Sequence, residues 1–402
     1  TVTLPGGTTT VVQTAAGSVA YCACTVTLGG VIDYTGSQAN YGTQNKVAID
    51  DALADVNAWA ASAGYTVKFA IVQQDDQTDP AVALQKLQTL AAQGIQVVIG
   101  PYFSGAAANM LPYANSNHIL MISPQSTSPS LNNRSSTGYL IRDVPPDSDG
   151  ALGLATAAHG LGIKDVVVVY RQDTWGQAYV AAFNSSAIGL GMKASLIPYT
   201  PVTTGAYDFS AALSVASGDY SSDVSSVGVN STAIVHIGFE EYSAFLQQAQ
   251  SLYPNMLKSL FFNTDAADQG VISTDGATAV AVKSISTVFQ PTDSGKFTSF
   301  QQRIQTQLGT LPNTYVSTSY DAVWIAALSI LAAGKYDGAA VKAVVTTVAN
   351  NYFGVAGWPN INANGDRTGS DYGVWEVVNS ASPQWAQIGT FAGGAISYSQ
   401  TP

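Results

Sequence analysis

The chain has 402 residues, enough for two domains of ordinary size, and 46% of them are hydrophobic, so it buries a sizeable core and is not disordered. Charged residues make up only 10% and the net charge is -11, which leaves no basic stripe to neutralise phosphates and excludes nucleic-acid binding. Ser, Thr, Tyr, Gln and Asn stand where charges usually would, a surface expected of a secreted protein.

The chain begins at Thr1 without Met or a charged-then-apolar leader, and is expected to be a processed mature form. Residues 1–20 are rich in Thr, Gly and Val with no helix period, and read as a stalk or an extended strand. Tyr21 to Ile32 reads as a strand. It contains Cys22 and Cys24, too few and too close for a disulfide framework or a zinc site. Side chains two apart on a strand face opposite sides, so two thiols are expected rather than a bond.

A helix from about Thr43 to Ser62 follows, with Val47, Leu53, Ala54, Val56 and Trp59 on its apolar face. Tyr65 to Val72 is a strand, and Asp79 caps a helix that has Pro80 at its first position. Asp75, Asp76 and Asp79 lack the Gly and Glu of a calcium loop and are read as a solvated loop. Val97 to Ile99 is a short, wholly apolar strand that stops at Gly100-Pro101; a small-residue helix then opens at Ser104-Gly105. Ile119 to Ile122 is the next strand, and ends in Ser123-Pro124-Gln125-Ser126-Thr127. Hydroxyls thus gather past the carboxyl ends of two strands. They serve as ordinary helix caps or, if the strands are neighbours, line the edge where open α/β sheets bind ligands.

This βα alternation predicts a parallel, doubly wound sheet. After Leu140 to Val144, Pro145-Pro146 marks a crossover. A second alternating unit follows, with strands at Val166–Tyr170, Ala194–Tyr199, Thr232–Ile237 and Leu260–Phe262. Helices are expected at Asp147–Leu161, Gly176–Gly189, Phe209–Ala216 and Tyr242–Ser251. Ser284 to Phe289 leads to Pro291, then come helices at Phe297–Leu308, Tyr315–Ala333 and Gly338–Ala349, and short strands near Gly373–Val378 and Trp385–Phe391. No apolar run approaches the ~20 residues of a membrane helix. His118, His159 and His236 sit in no metal or triad motif, and no catalytic motif is found. Asn133, Asn184 and Asn230 open Asn-x-Ser/Thr sequons and are glycosylation candidates.

Six segments, in order, resemble branched-chain amino-acid-type periplasmic binding proteins of ABC transporters. They are GGVIDYTGSQANYGTQ (29–44), QQDDQTDPAVALQKLQTL (73–90), VVIGPYFSG (97–105), MISPQSTSPSL (121–131), Tyr320-Asp321-Ala322, and FGVAGWPNINANGDRTGSDYGVWEV (353–377). The resemblance implies a type I binding fold: two Rossmann-like α/β lobes with parallel sheets flanked by helices, joined by three crossover strands, with the ligand between them. It implies an N-terminal extension at 1–24, lobe I at 25–143 plus 289–355, lobe II at 144–288 plus 356–392, and a C-terminal tail at 393–402. It also implies that the ligand's carboxylate is held in lobe I by Ser104, Gly105, Gln125, Ser126 and Thr127, near Tyr41. Lobe II would supply Trp175 and Phe239 as ring faces and Asp265 for an ammonium.

The function so implied is capture of an amino acid, amide or similar small polar solute by hinge closure and delivery to a membrane permease, with no cofactor and no enzyme chemistry. The protein is expected outside the cell or at its surface, its signal peptide removed. Two other readings stay open: a surface or filament protein of the same fold that self-assembles through residues 1–20, and a ligand sensor coupled to a regulator.

Overall fold

The structure, a computed structural model, describes residues 2–3, 9–10, 18–132, 134–202, 205–264 and 269–399. Contacts divide the chain into two units. One holds Thr1–Thr127, Leu131–Pro146 and Pro291–Gly369; the other holds Ser128–Ser130, Asp147–Gln290 and Ser370–Pro402.

The sheet of the first unit is parallel throughout, in the order Lys68–Asp75, Thr25–Ile32, Val97–Ile99, Leu120–Ser123, Leu140–Arg142. Its central strands are apolar in unbroken runs because helices cover both faces. The expectation that no apolar run approaches a membrane helix is corrected at Val316–Ala333, which is long and apolar enough to cross a membrane by length and composition, yet nearly every residue in it is buried. A helix apolar all round belongs in a core. Here it packs between Ala39–Ser62 and Gly338–Ala349, with Trp324 edge-on to Trp59 at 5.6 Å.

The sheet of the second unit has eight strands. Their order is Ala395–Tyr398, Gln384–Ala392, Asp371–Val378, Ile285–Gln290, Leu260–Thr264, Thr232–Ile237, Asp165–Arg171, Lys193–Tyr199. The five from Ile285–Gln290 onward are parallel; the three added by the chain's end are antiparallel. The expectation of parallel sheets is corrected for this unit. Short hairpins join those three strands to one another, and a short hairpin can only pair strands antiparallel; the first of them, Asp371–Val378, is reached by a long connection and lies antiparallel to Ile285–Gln290. Gly393 and Gly394, at φ +57 and +86, supply the last turn. The expected tail at 393–402 is therefore partly a strand of this sheet, Ala395–Tyr398.

Three further expectations are corrected. Residues 356–369 belong to the first unit, so the last crossing falls after Gly369 rather than after residue 355. Buried bonds hold that segment: Ala356 N–H donates to Asp321 at 2.8 Å, and Arg367 donates to the carbonyl of Ala356 at 2.6 Å. A helix forms at Gln269–Ala281 where the sequence analysis expects none, because its Ser, Thr, Gly and Ala content gives almost no apolar period, and Asp275 breaks its helical angles. Cys22 and Cys24 form a disulfide. They do not lie on a strand: Cys22 ends a one-turn helix at Val19–Tyr21, and Ala23 sits at φ +48, which folds the two exposed side chains onto the same side.

Residues 18–24 already dock on the first unit, since Val19 N–H donates to the Gly334 carbonyl and Lys68 N–H to that of Cys24, both at 2.9 Å. The proposed extension thus ends nearer residue 18. Of it, Val2–Thr3 pairs antiparallel with Thr9–Thr10, and the rest lies outside the described residues. Among the sequons, Asn230 is exposed on the turn Val229–Ser231 and Asn184 is half-buried on the helix Thr174–Gly189. Asn133 lies outside the described residues.

Candidate functional site

In the first unit the site is built on two neighbouring strands. Val97 pairs with Leu120 and Ile99 with Ile122, so the loops that leave their carboxyl ends run side by side. Gly100 lies at φ +107, where a Cβ would collide with the carbonyl of Val31; only glycine turns the chain so close to the adjacent strand. Ser104 is the first residue of the helix Ser104–Asn117 and is buried, with Gly105 next to it. The N–H groups of that first turn have no partner within the helix and suit a carboxylate.

The second loop is tied down by its own side chains. Ser123 and Ser126 both donate their hydroxyls to the Pro101 carbonyl, at 2.6 and 3.1 Å, and Ser126 N–H donates to Ser123 Oγ at 3.1 Å. Gln125 exchanges amide bonds with Asn45 at 2.9 and 3.2 Å. The Asn45 oxygen also accepts from Ser319 Oγ at 2.9 Å, and Thr318 Oγ1 donates to the Pro124 carbonyl at 2.8 Å. Gln125 and Ser126 thus have structural partners inside the unit. Thr127 ends the loop, 5% exposed.

Tyr41 is buried in the first turn of Ala39–Ser62. Its neighbour Gly42 lets that turn pack on the strand end, where any Cβ would meet the Asp33 carbonyl.

Sequence reasoning placed Asp76 in a solvated loop; it is fully buried. Burial pushes its carboxyl up to about 7, the Thr78 N–H bond at 2.9 Å opposes the shift, and the Asp75 and Asp79 charges reinforce it. Asp79 caps Pro80–Ala92 as expected, accepting from Ala81 and Val82 N–H at 2.7 and 3.0 Å. Asn45 and Ser319 are not legible as site residues in the sequence, because each sits in a helix whose local pattern is fully explained by packing. Nothing local shows that they converge.

In the second unit Trp175 opens the helix Thr174–Gly189, capped by Asp173, which accepts from Trp175 N–H at 3.1 Å and Gly176 N–H at 2.8 Å. Its indole N–H donates to Asp147 at 2.6 Å. Its ring lies 4.3 Å from that of Phe239, tilted by 32°, so these two predicted residues do meet. Phe239 also carries Arg171 over its face at 4.6 Å. Arg171 bonds Asp173 at 2.7 Å and Glu241 at 2.6 Å, and Tyr199 donates to the same Glu241 oxygen at 2.7 Å. Burial works against the Arg171 charge, but those carboxylates outweigh it and hold the guanidinium protonated above its ordinary pKa. Asp265 lies outside the described residues; the strand leading to it ends at Thr264, whose hydroxyl donates to the Gly238 carbonyl at 3.0 Å. Among the described residues no three His, Cys, Asp or Glu side chains are grouped to hold a metal.

A family model described as receptor family ligand binding region matches residues 44–380. An uncharacterized protein of Methanocaldococcus jannaschii is 29% identical over 91% of this chain and 89% of its own length. The Leu/Ile/Val-binding protein of Escherichia coli is 29% identical over 44% of this chain and 47% of that protein, so this match spans about half of each. A crystal structure of a leucine binding protein from Thermotoga maritima superposes with a TM-score of 0.76 at 21% identity, over 92% of this chain and 99% of that one. That likeness shows the type I periplasmic binding protein fold.

Proposed function

This chain belongs to the receptor family of ligand-binding regions, whose members bind ligands rather than catalyse, and from that premise we propose that it captures an amino acid or similar small polar solute between its two units. Closure is by hinge motion, outside the cell, and the closed form is delivered to an ABC-type permease. The observation that carries this reading is the pairing of Val97–Ile99 with Leu120–Ser123. It brings the first turn at Ser104 and the loop at Thr127 to one sheet edge, and both offer groups that suit a carboxylate.

In this reading Ser104, Gly105 and Thr127 take the carboxylate, and Gln125 and Ser126 shape the loop that positions Thr127. The Trp175–Phe239 face receives the side chain and Asp265 the ammonium. Charge-assisted bonds contribute roughly 1.5–3 kcal/mol each. A handful, less the ordering cost, gives the ~8 kcal/mol of a micromolar site.

The test is a thermal-shift screen of the wild type, Thr127→Ala and Asp265→Ala against amino acids, amides and short peptides. The names of the Escherichia coli and Thermotoga maritima proteins put leucine, isoleucine and valine first. A ligand at a hundred times its dissociation constant adds about 2.7 kcal/mol. A hit lost in both variants supports the reading. A hit that survives Asp265→Ala removes the ammonium from that position, and no hit at all defeats the proposal.

A further inference from the structure

Three neighbouring strands of the second unit carry polar side chains at one level of the sheet. His236 pairs with Asn263 and Asn263 with Ser286 in parallel register, so all three side chains leave the same face. Each is fully buried. Two residues earlier on that face Ile234 pairs with Phe261, an ordinary apolar contact. Core packing alone does not call for an imidazole, an amide and a hydroxyl in register.

The protein around them does not complete their hydrogen bonds. His236 is boxed by Tyr199, Phe209, Tyr242 and Phe245, with ring centres at 5.5, 5.7, 5.5 and 4.8 Å. The two hydroxyls among those rings are engaged elsewhere: Tyr199 donates to Glu241 at 2.7 Å, and Tyr242 bonds Ser284 at 2.5 Å. Asn263 lies near enough to the Tyr242 hydroxyl to act on it. Neither nitrogen of His236 has a hydrogen-bond partner among the described residues, and neither has Ser286 Oγ. Burial, with the Arg171 charge adding to it, keeps the imidazole neutral, so one nitrogen is a donor and the other an acceptor. A buried polar atom without a bond costs the folded state its full desolvation, and nearly all such atoms in folded proteins are met by protein or by ordered water.

The cover over this face is light. The helix Gln269–Ala281 packs on it, and of that helix's described buried residues only Val271 is large and apolar; the others are Gly276, Thr278 and Ala279. The spacing also suits a small guest. Adjacent strands lie about 4.8 Å apart, and two hydrogen bonds of about 2.8 Å that meet at one water molecule span about 4.6 Å. A water between two of these side chains gains at least the two polar partners that buried water needs.

We propose that the row His236–Asn263–Ser286 is an internal hydration site, in which ordered water bridges the imidazole to the amide and the amide to the hydroxyl. The site lies just inside the strand ends that lead to Phe239 and Asp265. It does not rest on any ligand for the protein, since every residue in it belongs to the second unit and none is assigned to the ligand.

The experiment is a high-resolution crystal structure of the full chain and of Ser286→Ala, with thermal unfolding of both. Discrete water peaks are expected within about 3.2 Å of Ser286 Oγ and of a His236 nitrogen. Ser286→Ala is expected to lose the peak beside position 286 and to melt roughly 2–4 °C below wild type, the shift of about one lost hydrogen bond in a unit of this size. Removing a hydroxyl that bonds water forfeits that bond, whereas removing one that bonds nothing relieves an unmet group and raises stability. Direct bonds among the three side chains without water, density for a larger molecule, or a Ser286→Ala protein at least as stable as wild type overturns the proposal.

Discussion

Arg142 and Asp366 lie 224 residues apart and meet as a buried ion pair, Nε to Oδ1 at 2.6 Å. The residues beside them pair in the opposite sense, Arg367 with Asp143 at 3.3 Å, and a parallel bridge joins the two backbones. Two stretches that each precede a crossing to the other unit are thereby clamped side by side within the first. Arg134 adds a second guanidinium to Asp366, at 2.5 Å.

Asp366→Ala should therefore strand two buried cations. Removing one partner of a buried pair costs roughly 3–5 kcal/mol, whereas replacing a whole pair by apolar groups costs far less. Urea unfolding should show a loss of that size in Asp366→Ala. Equal midpoints for variant and wild type would show that the clamp contributes nothing.

Stability should depend on pH through two buried groups with opposite signs. Burial, with Arg171 adding to it, lowers His236 from 6.5 to about 3, so the folded chain keeps this imidazole neutral while the unfolded chain protonates it. Its contribution is present above about 6.5 and is lost as pH falls toward 3. At about pH 4.5 the loss is roughly 2–3 kcal/mol. Since His236 sits among Tyr199, Phe209, Tyr242 and Phe245, His236→Phe should remove this acid sensitivity. Melting curves of the two proteins at pH 4.5 and 7 decide it.

Asp76 acts the other way. Its folded pKa is raised from 3.8 to about 7, so its contribution is present below 3.8 and is lost as pH rises through 7. Asp76→Asn keeps the acceptor for Thr78 N–H but cannot ionise. It should melt above wild type at alkaline pH, with the advantage shrinking toward pH 4. A constant offset between the two curves would mean that Asp76 does not titrate in this window.

Trp175→Phe keeps a ring against Phe239 and takes one donor from the buried Asp147 carboxylate, so it should cost about 1–3 kcal/mol. Trp175→Ala also removes the ring and should cost about 3–5 kcal/mol. Urea titration separates the two. A ligand found by the screen should lose more affinity in Trp175→Ala than in Trp175→Phe if the ring, and not the N–H, faces it.

The Cys22–Cys24 bond closes a loop of only three residues at the exposed edge of the first unit. Loop-entropy reasoning allows it at most roughly 1–2 kcal/mol. Melting with and without reductant should differ by no more than a few degrees; a collapse on reduction would show that the bond holds the segment 18–24 in place.

The alternation of strands and helices was legible in the sequence because it is written in local patterns. Apolar runs such as Val97–Ile99 and Thr232–Ile237 bury both faces, Asp79-Pro80 marks a helix start, and Gly338–Ala349 carries its own period. The family was legible too, in six short segments spread from residue 29 to 377. Of the candidate site, the sequence named residues but not their partners. Trp175 and Phe239 do meet, while Gln125 and Ser126 turned out to be bonded to Asn45 and Pro101.

What the tertiary structure alone decided depends on residues far apart in the chain. Residues 356–369 stay with the first unit because Asp321, Asp143 and Arg142 reach them across 35 to 224 residues. Asp76 reads as a loop aspartate and is buried because the strand and helix beside it close over the turn. Local propensity fixes period and punctuation; burial and ion pairing are properties of the assembled chain, and no window of the sequence contains both partners.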